Sequence, residues 1–202
     1  MAPSRADATT ERKAIINAAL RVMRKNGYDE CQITDILTEA SLSTRAFYRH
    51  FKTKDDVLIA IYRDNAETTS RRLAEKVAAA GSPPEQLQVW IEETLNLGYD
   101  RRRASRVLVL ASGAARRATG YAEEQAQAAI ALSAPLLEAL VAGTSSGVFP
   151  TCEPAADAVT IHDIVWRFVA EALSGNPTMT EQAARDHVMR FCLPALGVRR
   201  SG

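Results

Sequence analysis

Cysteine is scarce: Cys31, Cys152 and Cys192 are far apart and odd in number. They support neither a disulfide framework nor a zinc knuckle, and they point to a reducing, cytoplasmic setting. Three histidines, His50, His162 and His187, have no metal-ligand spacing with any cysteine, so neither a metal nor another cofactor is expected. A glycine-rich phosphate loop and a nucleophile elbow are both missing, and His162 and Asp163 are neighbours that point apart on a helix. An enzyme is therefore a competing class with nothing to carry it. No run approaches the roughly 18 consecutive apolar residues of a membrane span. The opening "MAPSRADATTERK" has no apolar signal region, so no membrane association is expected.

Charge of one sign is also lacking, with a net of +1, but its distribution is uneven. Up to Lys54 there are ten Lys and Arg against six acids, whereas the remainder has fifteen against eighteen. A basic amino-terminal part on an acidic body suits a nucleic-acid-binding head. Hydrophobic residues make up 47% of the 202, ample for a buried core.

The apolar pattern is helical nearly throughout. Ala14, Ile15, Ala18, Ala19, Val22 and Met23 form one stripe, with Thr9 or Thr10 as its cap and Gly27 as its stop. Ile33, Ile36, Leu37 and Ala40 form a second, short stripe. A third helix starts at Ser43 and a fourth after Thr53, where Thr53 and Asp56 have the spacing of a capping box. "GSPP" at 81–84, "GTSSG" at 143–147, "FPTCEP" at 149–154 and "SGNP" at 174–177 punctuate further helices. Only "VLVL" at 107–110 could pass for a strand, and Pro135 should kink the helix it falls in. The expectation is an all-α fold of roughly nine helices.

The stretch "LSTRAFYRHF", 42–51, combines core aromatics with exposed chemistry. Two short helices, around 32–40 and 43–51, are separated by "SLS", the spacing of a helix-turn-helix. Ser43 is a good cap, and Leu42 and Phe47 are placed as a hydrophobic staple. Phe47 and Phe51 should face inward, leaving Thr44, Arg45, Tyr48 and Arg49 on the opposite arc. Tyr48 would gain little on a wet face without a partner. Lys54 sits in the first turn of the fourth helix, where the macrodipole disfavours a cation unless a phosphate is near. Residues at the start of the second helix of such a pair reach base edges in the major groove. Double-stranded DNA explains all three features.

Residues 27 to 58, "GYDECQITDILTEASLSTRAFYRHFKTKDDVL", resemble the DNA-binding head of the tetracycline-repressor (TetR) family of bacterial regulators. The landmarks are Gly27 with Tyr28, Ile36, Ala40, Ser43, the Tyr48-Arg49-His50-Phe51 run, and Lys54 before an acidic pair and Leu58. Three positions depart from the family pattern. Cys31 stands where a Thr or Ser caps the second helix, Ser41 where Gly sits in the turn, and Arg45 where a small residue is common. The resemblance implies DNA contacts from Thr44, Arg45 and Tyr48 and phosphate contacts from His50 and Lys54. Thr34 is a further phosphate candidate, and Ser43 and Arg49 complete the DNA-facing set. It also implies a helix-turn-helix domain over 1–54, with a flexible arm to about residue 9, and a helical effector-binding and dimerisation domain over 55–202.

Helix 155–173 is apolar on too many sides for one buried face, as expected of a helix either central to a large core or shared between a core and a partner. The last helix, 180–195, has Thr178 and Glu181 at capping-box spacing and apolar residues at 184, 188, 191 and 195. The resemblance implies that these two helices pair in a homodimer, through Val159, Ile161, Val165, Phe168, Ala172, Ala184, Val188 and Phe191. It also implies a small-molecule effector pocket in the body, for which Trp90, Leu95, Tyr99, Tyr121, Phe149, His162, Trp166 and Phe168 are candidates, against the alternative that aromatics at helical spacing are simply core. "RRRASR" at 101–106 and Arg116–Arg117 are a solvated surface or a lure for an acidic effector. The implied function is a ligand-responsive transcriptional regulator, a repressor released from a near-palindromic operator by a small hydrophobic or aromatic effector. Two further alternatives are a redox sensor using Cys31 at a helix amino terminus and a helical adaptor without DNA affinity.

Overall fold

A computed structural model describes residues 5–198, and every regular element among them is helical. Helix α1 (Arg5–Asn26) begins before the expected cap at Thr9 or Thr10, so an arm reaching residue 9 is not what the chain forms from Arg5 onward. Ala6 and Ala8 are strong helix formers and carry the helix back past the threonines. Residues 1–4 of the expected arm lie outside the described residues. Gly27 ends α1 at φ +83°, its N–H donating to the Met23 carbonyl at 2.9 Å.

Helix α2 (Ile33–Ala40) is capped at Gln32, one residue later than Cys31. The Asp35 carboxylate accepts from the Gln32 N–H at 3.1 Å. Cys31 is instead fully buried, because the inward register of α2 takes it into the core. Ser41 closes the helix in the left-handed region at φ +53°, its N–H donating to the Leu37 and Thr38 carbonyls. A glycine serves there at no steric cost, and a serine carries strain. Helix α3 (Thr44–His50) starts from Ser43, whose hydroxyl accepts from the Ala46 N–H at 3.2 Å. Helix α4 (Lys54–Ala78) has the expected capping box: Thr53 Oγ1 accepts from Asp56 N–H (3.1 Å) and Asp56 accepts from Thr53 N–H (2.9 Å).

Then come α5 (Pro83–Tyr99), α6 (Arg101–Ala111), a short 3-10 turn (Ala115–Arg117), α7 (Tyr121–Ser145), α8 (Pro154–Leu173) and α9 (Glu181–Ala195). The "VLVL" run lies inside α6, and α7 continues through Pro135. By length and composition alone α7 is apolar enough to cross a membrane; Leu132, Leu136, Ala139 and Leu140 spend part of that apolar content on the protein's own core.

The chain forms two compact units. The first holds residues up to Asn65 together with Ser105–Gln127. Its core joins Ile15, Met23, Ile36, Phe47, Phe51, Leu58 and Ile61 with Val109, Leu110, Ala115 and Tyr121. The start of α4 and the 105–127 segment thus close the same hydrophobic cluster as the first three helices. The second holds Ala66–Ala104 and residues from Ala128 on. Leu87, Trp90, Ile91, Leu95, Leu136, Leu140, Phe149, Val165, Val169, Ala184 and Val188 are fully buried there. Phe149 lies so close to Gly143 that any side chain at 143 would overlap its ring.

The two last helices divide their apolar residues differently from the expected dimer set. Ile161, Val165, Phe168, Ala184 and Val188 are buried in the protomer's own core, with Ala172 half-buried. Cys192 continues the 184–188 line at i+4, turning Phe191 outward at 59% exposure; Val159 is 62% exposed. The α9 cap is Thr180, whose hydroxyl accepts from Ala183 N–H at 3.2 Å, while Thr178 donates to Glu171 at 2.6 Å.

Replacing Ser41 with glycine removes the left-handed strain while keeping both carbonyl bonds. The expected result is a stabilisation of roughly 0.5–1 kcal/mol, read as a higher urea midpoint at unchanged slope.

Candidate nucleic-acid interface

The site is built on α3, a helix fixed at both ends and from beneath. Ser43 caps it, Phe51 closes it by donating its N–H to the Phe47 carbonyl (2.9 Å), and Ala46, Phe47 and Phe51 bury its inner face. Leu42 joins the same cluster just before the cap. With that face committed, Ser43, Thr44, Arg45, Tyr48 and Arg49 are exposed on the other side, Tyr48 at 56%. Tyr48 keeps an edge-on contact with Phe47, ring centroids 5.4 Å apart, which steadies the ring without burying its hydroxyl. Thr34, second residue of α2, is exposed as well.

Three of the candidate DNA-contacting residues are held within the head. Glu11 on α1 accepts from Arg49 Nη1 at 2.9 Å and lies 3.0 Å from His50 Nε2. His50 keeps 9% of its side chain exposed, so it is turned toward α1 and not outward. Lys54 donates to the carbonyls of Tyr28 (2.8 Å) and Asp29 (3.2 Å), and its ammonium lies 4.4 Å from the Tyr28 ring centroid. Those contacts offset the unfavourable helix dipole by themselves, so the first-turn cation does not require a phosphate. Arg45, by contrast, forms no ion pair among the described residues.

Sequence reasoning missed the residues that organise this surface. Glu11 is separated from its partners by 38 and 39 residues, and no local spacing signals it. Asp55 accepts from the Tyr28 hydroxyl and, at 2.8 Å, from the Thr119 N–H. Burial opposes its ionisation, yet those hydrogen bonds outweigh burial and hold the carboxyl below its usual range. Arg117 reaches Asp29 at 3.0 Å, so this member of the arginine pairs is engaged within the first unit. Arg103, in the second unit, is likewise engaged with Glu93 at 3.2 Å.

Cys31 does not fit the redox reading. Burial pushes its thiol up to about 11, Lys54 opposing and Asp35 reinforcing the shift, so the reactive thiolate is scarce near neutrality.

The effector candidates scatter. Leu95 and Phe149 are fully buried, and Phe168 lies in the core with its ring 6.0 Å from that of His187. Tyr99 donates its hydroxyl to the Met179 carbonyl at 3.0 Å. Tyr121 belongs to the first unit, edge-on to Tyr62 at 5.5 Å. Only Trp90, His162 and Trp166 come together, with centroid separations of 6.4 and 5.9 Å. Helical spacing could not separate these cases, since a core aromatic and a lining one recur at the same period.

Because the thiol ionises near its ordinary value when unfolded and near 11 when folded, the unfolded state gains charge first as pH rises. The thiol contribution should therefore be constant below about pH 9 and stability should fall between 9 and 11, with Cys192, also raised to about 11 by burial, acting in the same direction. Urea titrations across that range check it, and Cys31→Ala should make the fall shallower.

Residues 15–61 match the bacterial regulatory proteins of the tetR family. Over 83 residues the chain is 29% identical to the fatty acid metabolism regulator protein of Bacillus subtilis (strain 168), covering 41% of this chain and 43% of that one. Over 81 residues it is 31% identical to the HTH-type transcriptional regulator HbdR of Aromatoleum sp. (strain CIB), covering 39% and 35% respectively. The matched stretch thus spans less than half the length of either curated relative. The crystal structure of the transcriptional regulator FadR from Bacillus subtilis in complex with stearoyl-CoA shares the fold at a TM-score of 0.75 and 18% identity, over 91% of this chain and 98% of that one. A helix-turn-helix head matched in sequence over residues 15–61, and a fold shared along nearly the whole chain, are what this protein has in common with the bacterial regulatory proteins of the tetR family.

Proposed function

We propose that the protein is a ligand-responsive, DNA-binding transcriptional regulator and not an enzyme, acting as a repressor that a small apolar effector releases from its operator. The observation that carries this reading is α3, where burial of Phe47 and Phe51 leaves Thr44, Arg45 and Tyr48 standing outward on a rigid, capped helix. Thr44 and Arg45 are in its first turn, the part that meets base edges in a major groove. An arginine there can donate two hydrogen bonds to guanine O6 and N7. Arg49 and His50 are restrained by Glu11, and Lys54 by two carbonyls. Their part in binding is to position the helix and, where a phosphate displaces the internal partner, to add backbone affinity.

The first unit is then the DNA-binding part and the second the effector and dimerisation part. The relatives named for regulation, and the one holding stearoyl-CoA, favour an effector with an apolar body. The resemblance favours a homodimer built on α8 and α9, where Val159 and Phe191 are the large apolar side chains left exposed for a second copy to cover. Two heads on a two-fold axis would read half-sites about 34–36 Å apart, or a multiple of that. Cytoplasmic residence follows from the same reading.

Fragments selected from the source genome by the purified protein should converge on one near-palindrome; recovery of no enriched sequence would refute the proposal. On that operator, Arg45→Ala should lose discrimination at one position, worth about 1–3 kcal/mol, and change non-specific affinity less. Fluorescence anisotropy against single-position operator variants and random DNA measures both. Equal weakening on every sequence would make Arg45 a backbone contact.

The dimer has its own test. Phe191→Glu should yield folded monomers by light scattering and circular dichroism, because Phe191 is outside the protomer core. Phe168→Glu should unfold the protein, because Phe168 is inside it.

A further inference from the structure

Helices α5 and α8 lie side by side in the second unit and run in the same direction. Trp90 meets His162, ring centroids 6.4 Å apart, and two turns on the bare side of Gly98 lies against the Val169 carbonyl and Ala172. Between those two points Thr94 on α5 and Trp166 on α8 share a level. They hold the two buried side-chain polar atoms that have no hydrogen-bond partner among the described residues: Thr94 Oγ1 and Trp166 Nε1. Thr94 is 2% exposed and is the buried polar residue among the described residues.

Both vacancies are unusual. A threonine inside a helix normally returns its hydroxyl to the carbonyl four residues back, and an indole N–H, a donor only, normally finds an acceptor when buried. Leaving either unmade is costly, and two at one level need a common explanation. A carbonyl oxygen supplies it, because its two lone pairs can accept from both donors at once. The surroundings favour a neutral acceptor. Arg167, next on α8, is turned out to Glu171 at 3.1 Å, and His162 Nδ1 lies 3.1 Å from Asp163 Oδ1, so a carboxylate at this level would be desolvated with both nearby basic groups already engaged. The rings of Trp90, His162 and Trp166 supply flat apolar walls, and half-buried Trp166 leaves the level open at one side.

Resting on the reading of this unit as the effector domain, we infer that Thr94 and Trp166 form the polar anchor of the effector site. The ligand class is a neutral apolar molecule bearing a carbonyl group, such as a ketone, ester or thioester, whose oxygen accepts from Thr94 Oγ1 and Trp166 Nε1.

The test uses the full chain, wild type and Thr94→Val, with four cyclohexyl probes: methyl ketone, methyl ester, carboxylate anion and ethyl hydrocarbon. By calorimetry the ketone and ester should bind saturably and at least tenfold more tightly than the anion or hydrocarbon. Without ligand, Thr94→Val should melt higher than wild type, since it removes an unmade donor and keeps the shape. It should weaken the ketone by about 3–15-fold and leave the hydrocarbon unchanged. A ketone no better than the hydrocarbon, or equal weakening of both by Thr94→Val, overturns the inference. So does a lower melting temperature for Thr94→Val, which would show the hydroxyl already satisfied. Operator release, followed by anisotropy, separates this from the broader proposal. Ketone binding with the Thr94 dependence but without DNA release supports the anchor and refutes the effector reading. DNA release that is insensitive to Thr94→Val keeps the effector reading and overturns the anchor.

Discussion

Phe47 and Phe51, one turn apart, are buried where α3 packs on α1 and α2, and the outward arrangement of the head follows from that burial. Each buried phenylalanine contributes about 1.5–3 kcal/mol through apolar area removed from water. For recognition the geometric consequence matters more than the energy. A seven-residue helix is too short to be stable alone, so its side chains are aimed only as well as its inner face is packed. Ser41, Leu42 and Ser43 complete the restraint at its entrance: one residue in the left-handed region turns the chain, the next anchors it in the core, and the third caps the new helix. The strain at Ser41 is the cost of making that turn without a glycine.

Electrostatics then grade the exposed residues. Arg45 stands without an ion-pair partner among the described residues, Arg49 and His50 share Glu11, and Lys54 is bonded to two carbonyls. A phosphate approaching Arg49 must compete with a carboxylate already in place, so the gain is the difference between two charge-assisted bonds and not the whole of one. Arg45 faces no such competition. The same clasp joins α1 to the end of α3, so the carboxylate that restrains Arg49 also stiffens the recognition helix.

In the second unit, the helices that a family resemblance assigns to pairing spend most of their apolar residues on the protomer itself. The all-round apolar character of α8 reflects burial against α5 and α9, leaving Val159 and Phe191 as what a partner would find. The aromatic content divides similarly: Phe149 fills space that Gly143 vacates, and Trp90 donates to the Leu132 carbonyl at 2.9 Å. Trp166 differs from Trp90 in having a buried indole N–H and nothing to give it to.

Periodicity and capping chemistry by themselves determined the all-α fold, the helix-turn-helix, the inward Phe47 and Phe51, the stop at Gly27 and the Thr53–Asp56 box, because each depends on residues within about one helical turn of each other. Local patterns were less reliable where two adjacent residues could serve, as with Cys31 against Gln32 and Thr178 against Thr180. Only the tertiary structure decided which exposed cations are free, which aromatics are core, and that the 105–127 segment closes the core of the head. Those outcomes depend on groups far apart in the chain, as in Lys54 with Tyr28, 26 residues away, and Glu11 with Arg49, 38 residues away, and no period in the chain encodes such a meeting. Thr94 and Trp166 are the extreme case: each reads as an ordinary core residue on its own helix, and only the register between α5 and α8 leaves both without a partner at one level.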